Sequence, residues 1–375
     1  MRAIEILEQL LACQAVVGRP NGPIVETICE IARKAGAQAQ VLPGPEGDRS
    51  NLWITLGPKD RAGYVLSGHM DVVPAPAKGW TSAPFTLRDD GAGRLYGRGT
   101  SDMQGFLACC LAVLPATGNR TLSRPLHLAF SYDEEAGCRG VPHLLAHLPE
   151  LCALPLGCII GEPSDMTPIL AHKGKAAVRL RVEGLAGHSS RPDLGRNAIH
   201  GLVSVLNEAL AVNANLPDTG QDVRFAPACS TLQVGVVSGG VAVNVIPDLA
   251  EAEIELRAIP GQDPLALLAP VKAALDALRS EGFVTNWEVV SAYPALSLAQ
   301  DSPLSRLIGR LSAREPVEAV SFGTEGGLYQ LAGIASVICG PGHIERAHKP
   351  DEFVTKDELA ACERMIAGLV DEMSA

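Results

Sequence analysis

The sequence predicts an α/β fold with two domains, in which a smaller domain is inserted into a larger one. The chain has 375 residues, which is more than a single hydrophobic core usually holds. Short apolar runs separated by helical patterns occupy both ends of the chain, whereas segments of apolar–polar alternation occupy the middle. We therefore expect the larger domain over 1–174 and 286–375 and the inserted domain over 175–285.

The larger domain begins with an amphipathic helix. Glu5 and Glu8 stand among the apolar residues of 1–11, which is typical of such a helix and not of a signal peptide. Four later apolar runs have the length of buried strands, and they lie at 63–67, 126–132, 156–160 and 334–339. Helical patterns lie between them, notably at 103–114 and 141–148. Strands joined through helices form a mainly parallel central sheet covered on both faces.

The inserted domain is predicted to be a ferredoxin-like α+β sandwich. In one alternating segment Ala252, Ile254 and Leu256 are separated by charged residues, as in a strand with one buried face. The predicted elements, in chain order, are a strand at 176–183, a helix at 197–212, strands at 231–237 and 250–258, a helix at 264–279 and a strand at 286–290. The order β-α-β-β-α-β describes a ferredoxin-like fold.

The composition argues against several classes of protein. The 42 acidic residues outnumber the 31 basic ones and give a net charge of −11, which disfavours nucleic acid and anionic membranes as main partners. No run of about 18 apolar residues predicts a transmembrane helix. The ten cysteines include no CxxC pair, so we expect reduced thiols that fill the core of a cytoplasmic protein.

Polar residues follow each predicted strand of the larger domain. His69 and Asp71 follow the first strand, the sequence Asp133-Glu134-Glu135 follows the second, Glu162 follows the third, and a glycine-rich loop leading to His348 follows the fourth. Asp102 stands where the helix at 103–114 begins. Ligands of open α/β sheets bind outside the carboxyl ends of the strands. We therefore expect these side chains to converge on one site.

The residue types at this predicted site favour a pair of metal ions. Imidazole nitrogens and carboxylate oxygens, without cysteine, suit zinc, cobalt or manganese. A single catalytic zinc normally takes three protein ligands, whereas five ligands with one bridging carboxylate fit two metals. Such a pair polarises a carbonyl group and acidifies a water molecule. The sequence therefore predicts hydrolysis of an amide or a similar bond.

Motifs along nearly the whole chain resemble the dizinc aminoacylase/carboxypeptidase family of peptidases. They are SGHMDVVP at 67–74, GRGTSDMQG at 97–105, SYDEEAG at 131–137, GEPSD at 161–165, GHSSRP at 187–192, ELRAIPG at 255–261 and AHKPDEF at 347–353. The resemblance implies a phosphorylase/hydrolase-like catalytic domain and an inserted lid and dimerisation domain, hence a homodimer. One departure is Ala83, which stands where the family commonly has an acidic residue before Pro-Phe and affects how that loop is anchored.

The resemblance also implies a set of metal ligands. His69 and Glu162 would bind one divalent ion, Glu135 and His348 would bind the other, and Asp102 would bridge them. The ions would be zinc, with cobalt as the alternative. Each residue also has a simpler interpretation: Asp102 would favour the dipole of the following helix, and the acidic residues would belong to a solvated loop. His343 competes with His348 within the same loop, and the HKPDE motif favours His348.

Three further residues would act on the reaction. Asp71 would orient and polarise His69, because the next-but-one spacing permits such a contact on an extended segment. The resemblance implies that Glu134 is the general base, and it can act separately from Glu135 because neighbouring side chains on extended backbone point in opposite directions. His188 would stabilise the oxyanion, often in the active site of the partner subunit; its alternative is an ordinary loop residue.

Substrate contacts are expected from Asn244, Arg257 and Glu325. Arg257 suits an α-carboxylate because guanidinium donates two parallel hydrogen bonds, and its alternative is a cross-strand ion pair with Glu253 or Glu255. Asn244 would hold an amide or carboxylate oxygen, or else serve a turn. Glu325 would bind a distal ammonium group, or else be a solvated loop acid.

The function implied is removal of the acyl group from an N-acyl amino acid. The motifs AHKGK at 171–175, FGTEGG at 322–327 and GPGHIERAHKPDE at 340–352 are closest to family members that convert N2-acetyl-L-ornithine to L-ornithine and acetate in arginine biosynthesis. Within the family the alternatives are succinyl-diaminopimelate, another acylated amino acid or a dipeptide. Outside it they are a catalytically silent binding protein and an amidase with a cysteine nucleophile.

Overall fold

A computed structural model describes residues 2–118 and 120–374 of the chain. Contacts divide the chain into two compact units. Unit 1 comprises Met1–Ala171, Leu296–Ala319 and Thr324–Ala375, and unit 2 comprises His172–Ala295 and Val320–Gly323. None of the described helices is long and apolar enough to cross a membrane. All ten cysteines are free thiols.

The described residues form short strands and helices throughout both units. The strands are β1 (Ala39–Pro43), β2 (Ser50–Leu56), β3 (Tyr64–His69), β4 (Arg88–Asp89), β5 (Arg94–Tyr96), β6 (Leu126–Ser131), β7 (Gly157–Pro163), β8 (Ala171–His172), β9 (Gly174–Glu183), β10 (Gly187–His188), β11 (Thr231–Gly239), β12 (Val245–Ile246), β13 (Leu249–Ala258), β14 (Val284–Tyr293), β15 (Leu296–Ser297), β16 (Ser336–Gly340) and β17 (Phe353–Thr355). The helices are α1 (Ala3–Ala12), α2 (Gly22–Lys34), α3 (Gln104–Ala112), α4 (Leu114–Gly118), α5 (Val141–Ala146), α6 (Leu148–Leu151), α7 (Ala198–Asn215), α8 (Pro264–Leu267), α9 (Ala269–Ala277), α10 (Pro303–Ser312), α11 (Gly326–Leu331) and α12 (Lys356–Met373).

The main sheet of unit 1 confirms the predicted α/β fold. Its strand order is β1-β2-β6-β3-β7-β16. The four predicted strands are β3, β6, β7 and β16, and neighbours among them pair in parallel. Strands β1 and β2, which the sequence did not predict, extend the sheet in antiparallel fashion next to β6. The mainly parallel part of the sheet therefore places the carboxyl ends of β6, β3 and β7 side by side.

Helices pack on this sheet through apolar faces that the sequence spacing explains. In α1 the buried residues recur at the three- and four-residue intervals of a helix face. Helix α3 is buried over nearly its whole length and lies close to β7. A Cβ atom on Gly161 of β7 would come within 2.0 Å of the Phe106 ring of α3. The absence of a side chain at Gly161 therefore lets α3 approach the strand that carries Glu162.

Unit 2 confirms the predicted ferredoxin-like sandwich. Its antiparallel sheet has the order β11-β13-β9-β14, and α7 and α9 pack with it. Alternate residues of β9 are buried, as the period-two pattern predicts. The unit extends further than the predicted 175–285, because β14 pairs with β9 as far as Tyr293 opposite Lys175. The boundary expected after residue 285 thus falls inside a strand.

Candidate metal centre

Polar side chains gather at the carboxyl edge of the main sheet of unit 1. His69 is the last residue of β3, and Glu162 lies near the end of β7. Glu134 and Glu135 follow β6, and Asp102 lies just before α3. Because these strands are adjacent and parallel, their carboxyl ends meet at one place.

The carboxylate of Asp102 lies between two histidines. Its Oδ1 is 3.1 Å from Nε2 of His69, and its Oδ2 is 3.3 Å from Nε2 of His348. Each histidine also faces a second carboxylate. Oε1 of Glu162 lies 3.7 Å from Nε2 of His69. Oε1 of Glu135 lies 2.9 Å from Nε2 of His348.

This donor set fits divalent metal ions by its chemistry and its spacing. Two groups of three residues each bring one potential ligand atom per residue within 4.8 Å of one another. One group is His69, Asp102 and Glu135, and the other is His69, Glu134 and Glu162. His69, Asp102 and Glu162 are buried, and isolated charges are costly in such surroundings unless they are paired or bound to metal. Two imidazoles and several carboxylates at one edge suit a borderline cation such as Zn²⁺.

The clustered groups of the centre shift one another's pKa values. Hydrogen bonds to Asp102 and Glu135 raise the pKa of His348 to about 10. Burial disfavours charge on Asp102, but hydrogen bonds from His348 and His69 outweigh it and lower the pKa of that carboxyl. Burial and the nearby Asp102 raise the pKa of Glu162 well above its usual range. Metal ligands must lose their protons before they bind, so protons and metal ions compete for these groups.

Glu134 lies beside this centre in a setting suited to proton transfer. Burial raises the pKa of Glu134 to about 8. The charge of His69 opposes this shift, whereas the charges of Glu135 and Asp71 add to it. The thiol of Cys138 donates a hydrogen bond of 3.2 Å to Oε1 of Glu134. A partly buried carboxylate with a raised pKa beside a potential metal site has the properties of a general base.

Asp71 makes different contacts from those expected. Nδ1 of His69 lies 2.8 Å from the main-chain carbonyl oxygen of Asp71, whereas the Asp71 carboxylate is 3.8 Å from that nitrogen. The carboxylate instead accepts hydrogen bonds of 3.2 Å from the main-chain N–H groups of Glu134 and Glu135. The backbone of residue 71 therefore orients His69, and its side chain holds the Glu134–Glu135 turn.

Asp133 is a second anchor of this turn and was not predicted. It has a left-handed φ of 51°. Its Oδ1 accepts a hydrogen bond of 2.8 Å from the N–H of Gly18, and its other oxygen pairs with Arg49. Its position directly before the two glutamates was the only sign of this role in the sequence. Its partners, Gly18 and Arg49, could not be predicted because they are distant in the chain.

Glu325 is neither solvated nor freely accessible. It is 1% exposed, and its carboxylate accepts hydrogen bonds from the hydroxyl groups of Ser67 and Ser131. Burial raises its pKa, although both serine hydrogen bonds oppose this shift. The interpretation as a solvated loop acid is therefore wrong. Its two oxygens bind the ends of β3 and β6, and the buried side chain presents no surface to a substrate ammonium group.

His348 and His343 occupy distinct surroundings. Nδ1 of His343 accepts a hydrogen bond of 3.2 Å from the N–H of Glu345, two residues along its own loop. His348 is the histidine that lies beside Asp102 and Glu135.

His188 and Asn244, which were expected to contact the oxyanion and the substrate, lie close together in unit 2. His188 in β10 pairs with Val245 in β12, and the N–H of Ser189 donates a hydrogen bond of 3.1 Å to the carbonyl of Asn244. Both His188 and Asn244 are exposed. Nδ1 of His188 is 2.8 Å from the hydroxyl oxygen of Ser190.

Arg257 makes an ion pair within its own strand. Its Nε donates a hydrogen bond of 2.7 Å to Glu255, which also lies 3.3 Å from Nζ of Lys175. Glu253, the other expected partner, pairs with Arg179 instead. The expected ion pair with Glu255 is therefore present, but it lies within one strand and not across two, and Lys175 shares the Glu255 carboxylate.

The cysteines near the centre do not have the properties of a nucleophile. Burial and the adjacent Glu134 raise the pKa of the Cys138 thiol. A reactive cysteine requires a lowered pKa, usually from a neighbouring cation or a helix N-terminus. The surroundings of Cys138 therefore disfavour a thiolate mechanism.

Comparisons with known proteins agree with these features. Residues 65–372 match the family described as peptidase family M20/M25/M40. Acetylornithine deacetylase of Photorhabdus laumondii is 31% identical over 98% of this chain and 96% of its own length. Acetylornithine deacetylase of Myxococcus xanthus is 34% identical over 97% of this chain and 95% of its own.

Solved structures share the fold. An M20 family metallo-carboxypeptidase of Sulfolobus solfataricus superposes with a TM-score of 0.76 at 18% identity, covering 99% of this chain and 98% of the other. A tripeptidase of Staphylococcus aureus superposes with a TM-score of 0.75 at 19% identity, covering 99% and 98%.

Proposed function

This chain belongs to peptidase family M20/M25/M40 and is a metal-dependent amidohydrolase, and we propose that it hydrolyses N2-acetyl-L-ornithine to L-ornithine and acetate. The observation that carries the hydrolytic part is the carboxylate of Asp102, which faces a different histidine with each oxygen. The choice of substrate is supported by the full-length similarity to acetylornithine deacetylases. The reaction would belong to arginine biosynthesis in the cytoplasm.

We assign the metal ligands from this arrangement. His69 and Glu162 would hold one divalent ion, His348 and Glu135 the other, and Asp102 both. Zinc is the first choice and cobalt the second, because both accept mixed nitrogen and oxygen donors. When bound, such a pair polarises an amide carbonyl and lowers the pKa of water.

Glu134 would move the proton that the reaction requires. The attacking water forms a C–O bond at the acyl carbon and gives a proton to the Glu134 carboxylate. Breaking the C–N bond requires a proton on the departing nitrogen, and the same carboxyl group would supply it. The products are then the amine of the amino acid and a carboxylic acid, and transfer of the acid proton to the amine gives an ammonium group and a carboxylate. Asp71 would keep Glu134 in place through the main-chain hydrogen bonds of the turn.

Residues of unit 2 would bind the substrate. We propose that His188 donates a hydrogen bond to the developing oxyanion and that Asn244 holds an amide or carboxylate oxygen. Arg257 would grip the α-carboxylate, in exchange for part of its contact with Glu255. The expected contact of Glu325 with the substrate ammonium group is not part of this proposal, since the Glu325 carboxylate is buried beneath the hydroxyl groups of Ser67 and Ser131. A homodimer formed through unit 2 remains part of the proposal.

A panel of substrates tests this function. The zinc- and cobalt-loaded protein is assayed with N2-acetylornithine, succinyl-diaminopimelate, other N-acetyl amino acids and a dipeptide. We expect kcat/KM to be highest for N2-acetylornithine. A higher value for another member of the panel would reassign the substrate within the family, and the absence of turnover by metal-loaded protein would favour a silent binding protein.

A further inference from the structure

Glu352 has a buried carboxylate aimed at the turn that carries Asp102. Its side chain has no exposed surface. Its Oε1 accepts hydrogen bonds from the main-chain N–H groups of Gly99 at 3.1 Å, Ser101 at 2.9 Å and Asp102 at 3.1 Å. Three amides of one turn therefore converge on a single oxygen, and the last belongs to the residue that lies between the two histidines.

The second oxygen of Glu352 fixes the start of the same turn. Oε2 accepts a hydrogen bond of 2.6 Å from Nη1 of Arg98, and this guanidinium group is also buried. The main-chain carbonyl of Glu352 accepts a hydrogen bond of 2.9 Å from the N–H of Gly97. One residue thus holds the whole turn from 97 to 102 along its length.

Glu352 also belongs to the segment that carries His348. It directly precedes β17, which pairs with β5, and β5 leads into the turn at 97. The N–H of His343, earlier in this segment, donates a hydrogen bond of 3.0 Å to the Ser101 hydroxyl. Glu352 therefore joins the two chain segments that carry Asp102 and His348.

We propose that Glu352 is a positioning residue for the metal centre: it sets the main-chain path of the Asp102 turn so that the Asp102 carboxylate faces both His69 and His348. This inference rests on the proposed metal-dependent function. An Arg98–Glu352 ion pair needed only for stability would not require three amides on the other oxygen, and buried ion pairs are weak stabilisers in general. Groups that hold metal ligands in place affect metal affinity strongly.

Replacing Glu352 with glutamine disturbs this arrangement at nearly constant volume. A glutamine side chain has one acceptor oxygen and one NH₂ group. In either orientation the NH₂ group faces donors, either the three amides or the guanidinium group of Arg98. We expect Glu352→Gln to lower the affinity for Zn²⁺ by about 10- to 100-fold, the range found when partners of metal ligands are lost.

The test measures zinc affinity by competition with a chromophoric chelator, and the thermal unfolding of the metal-free protein alongside it. Asp222→Asn is the matched control, because it breaks a partly buried aspartate–arginine pair in unit 2, which contains none of the proposed ligands. Arg98→Lys is the second variant and decides the matter if Glu352→Gln does not fold. It keeps the charge but loses the planar fork, and we expect it to weaken zinc binding as well.

The inference is supported if Glu352→Gln or Arg98→Lys weakens zinc binding at least tenfold while the control keeps the wild-type affinity. Unchanged affinity in the folded variants, or the same loss in Asp222→Asn, would overturn it. Failure of the proposed function would look different, since the wild-type protein itself would then bind no divalent ion or bind it without turnover.

Discussion

Replacing Glu134 with glutamine tests the proposed proton transfer with little change in shape. The variant keeps the volume of the side chain and removes the carboxylate that would accept the proton. General bases typically contribute about 10²- to 10⁴-fold in rate, so kcat should fall by that factor, which corresponds to about 3 to 5 kcal/mol. Because Glu134 is not among the assigned ligands, the metal content should stay at the wild-type value.

The structure predicts a graded result for Glu134→Asp. Aspartate withdraws the carboxylate by one C–C bond, about 1.5 Å. A displacement of about 1 Å can cost about 100-fold in rate, so this variant should lose roughly two orders of magnitude although it retains the base. Hydrolysis of N2-acetylornithine and metal content are measured on the same preparations. Glu363→Gln is the matched control, a partly buried carboxyl of α12 whose pKa burial also raises.

The pH profile provides an independent check on Glu134. A base works only when it is deprotonated, so activity should rise as pH passes through its pKa. That pKa is about 8 in the metal-free chain, and bound cations lower it. We expect the rising limb of kcat to lie below pH 8 and to disappear in Glu134→Gln. Near-normal turnover by metal-loaded Glu134→Gln, with an unchanged rising limb, would refute the assignment of this residue as the base.

Three further predictions follow from the site and its support. Zinc affinity should weaken from pH 8 to pH 6, because the pKa of His348 is raised to about 10 and protons therefore compete with the metal for its imidazole. Competition with a chelator at the two pH values measures this affinity, and equal affinities would contradict the prediction. Gly161→Ala should destabilise the protein by about 1 to 3 kcal/mol in urea unfolding, because the new Cβ would overlap the Phe106 ring. The control Gly235→Ala should not show this overpacking loss, because its Cβ meets nothing closer than 3.9 Å. Equal losses of stability in the two variants would contradict the prediction. Glu325→Gln should leave the ratio of kcat/KM for N2-acetylornithine to that for N-acetylnorvaline, which lacks the distal amine, within about threefold of wild type. A fall in this ratio by about tenfold or more, worth about 1.4 kcal/mol, would restore Glu325 as the ammonium ligand.

The sequence predicted the positions of the candidate ligands because they follow the strands directly. His69 ends β3 and Glu162 lies near the end of β7. In each case a single short segment of sequence contains both the apolar run that predicts the strand and the polar residue that predicts the ligand. Convergence then follows from the parallel pairing of neighbouring strands. The alternation in β9 and β13 likewise predicted the sheet of unit 2, because burial along a strand repeats every two residues.

What the sequence did not predict depends on distant contacts. Glu325 was expected in solvent or at a substrate, but serines more than 190 residues away hold it in the interior. Asp71 was expected to orient His69, and both its carbonyl and its carboxylate lie near Nδ1 of that residue, but the additional hydrogen bonds from amides of the turn after β6 were not predicted. Strand β2 joins the sheet by pairing with β6 and β1 by pairing with β2, and no local pattern indicated either pairing.

Stepwise addition of zinc to the chelated protein tests the central claim most directly. Bound metal and the hydrolysis of N2-acetylornithine are measured in parallel on the same samples. The geometry around Asp102 predicts saturation at two ions per chain, no turnover in the chelated protein and turnover that appears as the ions bind. Turnover that persists in chelator, or saturation at fewer than two ions per chain, would contradict the claim.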